Sequence, residues 1–273
     1  MLPGTLAAVV GSTGIGKTQL GLQFAAAGQE QEGRRGILFD LSARGDSQNH
    51  AAYARRMFGW ELSEAPRPER LDLDGFFHAE RRPGDYLHVF EHRGRRVTRA
   101  DLDPDEWRNW QAELTRRLTA SIAFFYGNFI RGVRRAVVDG IEPADRPSES
   151  IQIELFEYVY HQILRKDPEW VARDLFRQDF RRHAPEAAAH RYDPGRVACV
   201  LLLTSHETTL DGLVERPLDE GDVLAGANTL IYLGKIREGT RFRRAMYVAK
   251  HRGSPSPDEI LPYRIDERGL HLE

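Results

Sequence analysis

The sequence predicts an α/β fold in three layers: a mainly parallel sheet, helices on both of its faces, and a C-terminal antiparallel hairpin. Three observations predict it. Short apolar, β-branched runs alternate with longer stretches of helical period, the pattern of strands covered on both faces by crossover helices. The first run leads into the glycine-rich "GSTGIGKT", Gly11 to Thr18, and a helical stretch follows at once. Near the end, "NTLIYLGKIREGTRFRRAMYVAKHRG" holds two β-rich runs around Glu238-Gly239, a hairpin signature.

Taken in order, Leu6 to Val10 reads as a buried strand, and "TQLGLQFAAAGQEQ" places Leu20, Leu22, Phe24 and Ala25 to Ala27 on a helix. "RRGILFDLS" is a second short strand and "SQNHAAYARRMFGWEL" a second helix. Residues 63–105 are rich in Pro, Gly and charge, with little period beyond "LHVF", and read as a variable, loop-heavy excursion. "PDEWRNWQAELTRRLTASIAFFYGNFI" is a long helix, "RRAVVDG" a third core strand and "RVACVLLLTS" a fourth. Between those two strands lies a helical insertion at about 144–196, with a break expected at Asp167-Pro168. Neither internal repeats nor low-complexity tracts occur, and residues 1–273 read as one domain.

Composition narrows the function classes. Hydrophobic residues at 41% suffice for a large core, and a net charge of −2 gives no global pull toward nucleic acid or membrane. No apolar run approaches the ~20 residues of a membrane span, and no basic segment marks the N-terminus as a signal peptide. A cytoplasmic location is the expectation. Cys199, the only cysteine, sits in the apolar "RVACVLLLT", which excludes a disulfide within the chain and predicts a packed thiol. Of 39 Lys plus Arg only Lys17, Lys166, Lys235 and Lys250 are lysines; where lysine survives such a bias, a compact ammonium can be what the site requires.

"GSTGIGKT" has the form G-x-x-x-x-G-K-[ST] between a strand and a helix, the context in which it cradles phosphates. The backbone N–H groups of Gly11, Ser12, Thr13, Gly14, Ile15 and Gly16 can converge on phosphate oxygens at a helix N-terminus. Lys17 would neutralise the β- and γ-phosphates, and Thr18 would offer its hydroxyl to Mg²⁺. A Mg²⁺ site also needs a carboxylate at the end of a hydrophobic strand, and Asp139 in "RRAVVDG" is such a residue. ATP and Mg²⁺ are therefore the expected ligands.

An ordered set of segments resembles the KaiC-like branch of the RecA superfamily: "LPG…VVGSTGIGKTQLGLQFA", "RRMFGWEL", "RRAVVDG", "VLLLTSHE", "VLAGANTLIYL" and "VAKHRGSPSPDEILPYRIDERGL". The resemblance covers most of the chain, leaving out 63–105 and the insertion. It implies a RecA-like P-loop NTPase core that binds ATP and Mg²⁺ between subunits of a homo-oligomer, such as a hexameric ring. It also implies that Lys250 and Arg252, in the "KxRGS" position, reach a neighbour's ATP. Thr204, Ser205 and His206 fall where such proteins sense the γ-phosphate.

RecA-type ATPases carry a water-activating glutamate just after the second strand; here Ser42 and Ala43 hold that place. A glutamate directly after the strand-three aspartate is absent too, since Gly140 follows Asp139. Losing a positioned base commonly costs ~10²–10⁴ in rate. Asp40, Asp46 and Glu142 are substitutes of lower rank. The expectation is an ATP-binding assembly or signalling switch, read by a protein partner, with weak or absent hydrolysis. An active motor on DNA and an autophosphorylating kinase are the alternatives. The seven Lys or Arg between Lys235 and Arg252, against Glu238 alone, are a basic stripe that could contact nucleic acid, but few aromatics interleave and a phosphate-facing interface explains it as well. The acidic "TTLDGLVERPLDEGD" after the fourth strand counts against the motor. His88 and His92, four apart in "HVFEH", are a weak metal pair. Leu155, Phe156, Val159, Tyr160 and Ile163 read as a core-facing stripe.

Overall fold

A computed structural model describes residues 2–42, 49–66, 72–90, 103–143, 150–216, 223–253, 255 and 258–273. Nine strands form a single sheet in the order β3-β2-β4-β5-β1-β6-β7-β8-β9. The parallel part comprises β1 (Leu6–Gly11), β2 (Ile37–Asp40), β3 (Tyr86–His88), β4 (Arg135–Ile141), β5 (Ala198–Thr204) and β6 (Thr229–Glu238). The antiparallel part adds β7 (Arg241–His251), β8 (Leu261–Asp266) and β9 (Gly269–Leu272). Gly239, with φ 60°, turns the β6–β7 hairpin at the expected place.

Strands β1, β2, β4 and β5 are largely apolar and buried almost throughout because both faces are covered. Alternate residues divide between two cores. Ala8 and Val10 of β1, Phe39 of β2, Val138 of β4 and Leu201 of β5 face one side. There α3 (Pro104–Phe129), α4 (Ile151–Val159), α5 (Pro168–Phe176) and α6 (Phe180–Ala189) cover them. Val9, Leu38, Val137 and Leu202 face the other, against α1 (Lys17–Glu32), α2 (His50–Phe58) and the last two strands. The short α7 (Leu210–Glu215) and α8 (Val223–Gly226) follow β5.

Local chemistry sets the helix ends. Asn49 caps α2 by accepting from the Ala52 N–H, and Gly59 ends that helix in the left-handed region at φ 56°. Asp103 and Glu106 form a capping box on α3, followed by Pro104 at the first helical position. The break expected at Asp167-Pro168 is present: a π-turn over Tyr160–Leu164 closes α4, and Asp167 caps α5.

One region differs from expectation. Within the excursion at 63–105, Tyr86–His88 pairs with β2 as an edge strand, and Phe76 and Phe77 plug the core against Tyr126 and Phe176 at centroid distances of 5.9 and 5.4 Å. A strand of 3 residues is too short for alternation to register in sequence. Among the described residues no helix is long and apolar enough to cross a membrane.

Candidate functional site

The site lies at the C-terminal ends of β1, β2, β4 and β5, the edge where parallel sheets present ligands. From Gly11 the chain turns through Ser12 to Ile15 and enters α1 at Lys17. Thr13 and Gly14 are exposed at the loop's crown, whereas Ser12, Ile15 and Lys17 are buried. Gly16 caps α1 at φ 113°, and a Cβ there would lie 2.6 Å from Ile265 Cδ1. Only glycine tolerates both conditions.

Lys17 folds back over the loop and donates to the carbonyls of Gly11 and Ser12, both at 2.9 Å. Burial lowers its pKa to about 8, against the opposing pull of Asp139. Thr18 Oγ1 donates to Asp139 Oδ2 at 2.8 Å, so the loop's hydroxyl and the strand-end carboxylate meet. Thr204 is level with Gly11 in the sheet, the Ser205 N–H donates to the Gly11 carbonyl at 3.0 Å, and His206 is exposed. The loop, Lys17, Thr18, Asp139, Thr204 and Ser205 thus lie together at one edge of the sheet.

Asp40 and Asp139 are register partners on β2 and β4 and point to the same face. Between them sits His50, the first residue of α2, with a side chain 1% exposed. Its Nε2 donates to Asp139 Oδ2 at 3.0 Å, and its Nδ1 lies 3.5 Å from Asp40 Oδ2 without forming a hydrogen bond. Asp40 is otherwise engaged: Oδ1 accepts from the Ser42 N–H at 2.8 Å and Oδ2 from Tyr86 OH at 2.7 Å. Burial works against charge on both His50 and Asp139. The pairing prevails, raising the pKa of the imidazole and holding that of the Asp139 carboxyl below the usual range.

The vacancy after Asp139 has a steric cause. Gly140 adopts φ 86°, and a Cβ there would approach the Ser42 nitrogen to 2.3 Å. The kink that lets β4 pass the end of β2 therefore excludes a glutamate at position 140. Ser42 is buried and its carbonyl accepts from His88 Nε2 at 2.8 Å. Glu142 is half-buried, with its N–H held by Gln152 Oε1 at 3.0 Å. Ala43, Asp46 and His92 lie outside the described residues, and no group of three or more His, Cys, Asp or Glu suited to a metal occurs among those described.

Lys250 and Arg252 sit elsewhere. Leu230 pairs with both Ala8 and Lys250, which puts Lys250 three residues before Gly11 and two strands across, roughly 14 Å away. The Lys250 ammonium donates to the Ala225 carbonyl at 2.8 Å, and burial together with Arg252 lowers its pKa. Neither cation reaches the loop of its own chain.

Three residues at the site escaped sequence reasoning: His50, Tyr86 and Gln152, whose amide donates to the Leu41 and Gly140 carbonyls at 2.6 and 2.8 Å. His50 carried a signal. A histidine in the first turn of a helix opposes the dipole, which marks it for a carboxylate partner. Tyr86 and Gln152 are ordinary residues of strand and helix. No protein-family model matches the chain, and no curated protein matches it.

Proposed function

We propose that this chain is a KaiC-like, RecA-type protein that binds ATP with Mg²⁺ and acts as a nucleotide-dependent assembly or signalling switch with weak or absent hydrolysis. The observation that carries this reading is the contact of Thr18 with Asp139 beneath a glycine loop whose lysine is turned inward. A hydroxyl and a carboxylate are hard oxygen donors, the set that suits Mg²⁺. Bound there with a nucleotide, the metal would neutralise charge on the phosphates. The chain's own part is positional: loop N–H groups hold phosphate oxygens, Lys17 swings from the Gly11 and Ser12 carbonyls to the phosphates, and Ser205 braces the start of the loop.

Weak turnover follows from the carboxylates. Position 140 cannot carry a glutamate, and both oxygens of Asp40 are engaged, so it is poorly placed to hold an attacking water. Lys250 and Arg252, out of reach of their own loop, suit a neighbour's γ-phosphate in a head-to-tail ring. Mg-ATP turnover at rising protein concentration, with Lys17→Ala as background, tests the proposal. Turnover indistinguishable from background, together with measurable nucleotide binding, is expected. A specific rate that climbs steeply with concentration would establish an active ATPase instead.

A second reading, action on nucleic acid, draws on one observation. Cross-strand partners share a face, so the pairs Lys235–Arg244 and Arg237–Phe242 lie together on the β6–β7 ribbon. Arg244 also pairs with Tyr263, whose hydroxyl donates to the Ile15 carbonyl, so this is the loop's side of the sheet. Phe242 is 64% exposed. Among the described residues the three cations have no carboxylate partner, while Arg243 on the opposite face pairs with Glu238 and Glu273. Salt-dependent binding of a labelled single strand that falls with Phe242→Ala would favour this reading.

A further inference from the structure

We infer that His50 is a latch on the metal carboxylate: it fills the acceptor position that a metal-bound group needs, and its release frees the N-terminal end of α2. The inference rests on the nucleotide reading above and adds how the loaded state is passed on. It starts from acceptor capacity. A carboxylate oxygen has two lone-pair positions. Asp139 Oδ2 receives Thr18 Oγ1 at 2.8 Å and His50 Nε2 at 3.0 Å, so it is full, while Oδ1 is turned to the Gly140 N–H at 2.7 Å. Thr18 can keep its hydrogen bond while its lone pairs face a cation. His50 cannot share in that way, because its bond to Oδ2 spends the position outright. Of the two donors on Oδ2, His50 is the one that must yield.

The ring makes no second hydrogen bond. Its Nδ1 is unpaired 3.5 Å from Asp40 Oδ2, and Asp40 already accepts from Ser42 and Tyr86. The imidazole is packed beside the Tyr86 ring at a centroid distance of 5.5 Å. Because His50 is the first residue of α2, withdrawing the ring moves the start of the helix. The far end is anchored differently: Trp60 is 2% exposed, its Nε1 donates to Asp85 Oδ2 at 2.8 Å, and its N–H donates to the Ala54 carbonyl at 3.1 Å. Release at one end and anchorage at the other make α2 a lever. Its exposed residues, Ala51, Ala52, Arg55 and Arg56, form the surface whose position reports the loaded state.

Hydrogen exchange of residues 50–58, measured beside binding of a fluorescent ADP, tests the latch. In the wild-type chain, exchange in α2 is expected to rise with ADP and Mg²⁺, and to stay at the free level with ADP and EDTA. His50→Ala is expected to exchange fast in all three states. It should also bind Mg-ADP about tenfold more tightly, the scale of one charge-assisted hydrogen bond no longer competed away. Weaker Mg-ADP binding by the variant would make His50 a support of the site and overturn the latch. So would an α2 that is unmoved while Mg-ADP binds. Failure of the wild type to bind any nucleotide would sink the nucleotide reading and the latch together. Should His50→Ala not fold, His50→Leu, which also carries no donor, and the wild-type exchange comparison decide by the same criteria.

Discussion

The two ends of the sheet handle charge in opposite ways. At the loop end, Lys17, Asp40, His50 and Asp139 are all buried, and each charge is answered within a few ångströms by another group of the same chain. At the end where β7 finishes, Lys250 is half-buried, Arg252 is exposed, and among the described residues neither has a carboxylate partner. Burying charge costs several kcal/mol per ion unless it is compensated, so the loop end is a built arrangement rather than a by-product of folding. The other end cost little to build: within its own subunit the Lys250 ammonium is answered only by the Ala225 carbonyl. A closed internal half and an open cationic half would suit the shared site between copies proposed above.

The largest effect expected on this contrast comes from Lys17→Ala. Removing the cation takes away charge-assisted contacts to two phosphates, at about 1.5–3 kcal/mol each, and should weaken nucleotide binding by roughly a hundredfold or more. Calorimetry with a non-hydrolysable ATP analogue and Mg²⁺ measures it. Unchanged affinity would mean that the loop end is not a phosphate site. Next in size are Lys250→Ala and Arg252→Ala. Either should leave nucleotide affinity of the dilute chain unchanged and reduce any nucleotide-driven assembly by about tenfold. Mixing Lys17→Ala with Lys250→Ala chains sharpens the contrast, since a site built from two copies allows partial rescue in the mixture.

The loop end was legible in sequence to the extent that it is local. Eight consecutive residues specify the cradle, because glycine spacing, lysine and threonine must sit on one turn between a strand and a helix. Asp139 was legible as the polar end of an apolar strand. His50 and Tyr86 were not, since they join the network only through pairing of β2 with β3 and packing of α2, contacts 46 to 89 residues apart in the chain. Gly140 was read as a missing glutamate; its positive φ, which explains the vacancy, arises from the approach of β4 to Ser42. Strand β3 was hidden by its brevity. The separation of Lys250 from its own loop follows from strand order, which no local pattern carries.

A smaller effect concerns the acid–base limits of the loop end. The pKa of Asp139 is held below its usual 3.8, so the stability it contributes is present above 3.8 and is lost as pH falls through the lowered value. The pKa of His50 is raised above 6.5, so its contribution is complete below 6.5 and is lost as pH rises through the raised value. Metal-free chain should therefore be most stable between about 4 and 6.5. Lys17 acts in the opposite sense: its burial penalty persists below about 8 and lifts as pH climbs toward 10.5. The decline due to His50 is thus best read between 6.5 and 8. Melting temperatures of wild type and His50→Gln across that range check it, since the variant should lose the decline.

The smallest effect belongs to the opposite end. Cys199 sits near the start of β5, level with Leu6, and burial pushes its thiol up to about 12. At pH 8 it is almost wholly protonated as well as enclosed, and the thiolate is the reactive form. Alkylation of the native chain should therefore be slow and should track opening of this end of the sheet. Nucleotide at the loop acts at the other end of β1 and β5, so it should change the labelling rate by no more than about twofold unless global stability shifts. Copies that close upon one another should slow labelling further, because Arg252, bonded through its N–H to the Asn228 carbonyl, belongs to this same end. A labelling rate that falls with protein concentration in wild type, but not in Arg252→Ala, would tie the cationic end to assembly. A rate that answers to nucleotide in dilute chain would show instead that the two ends are coupled within one subunit.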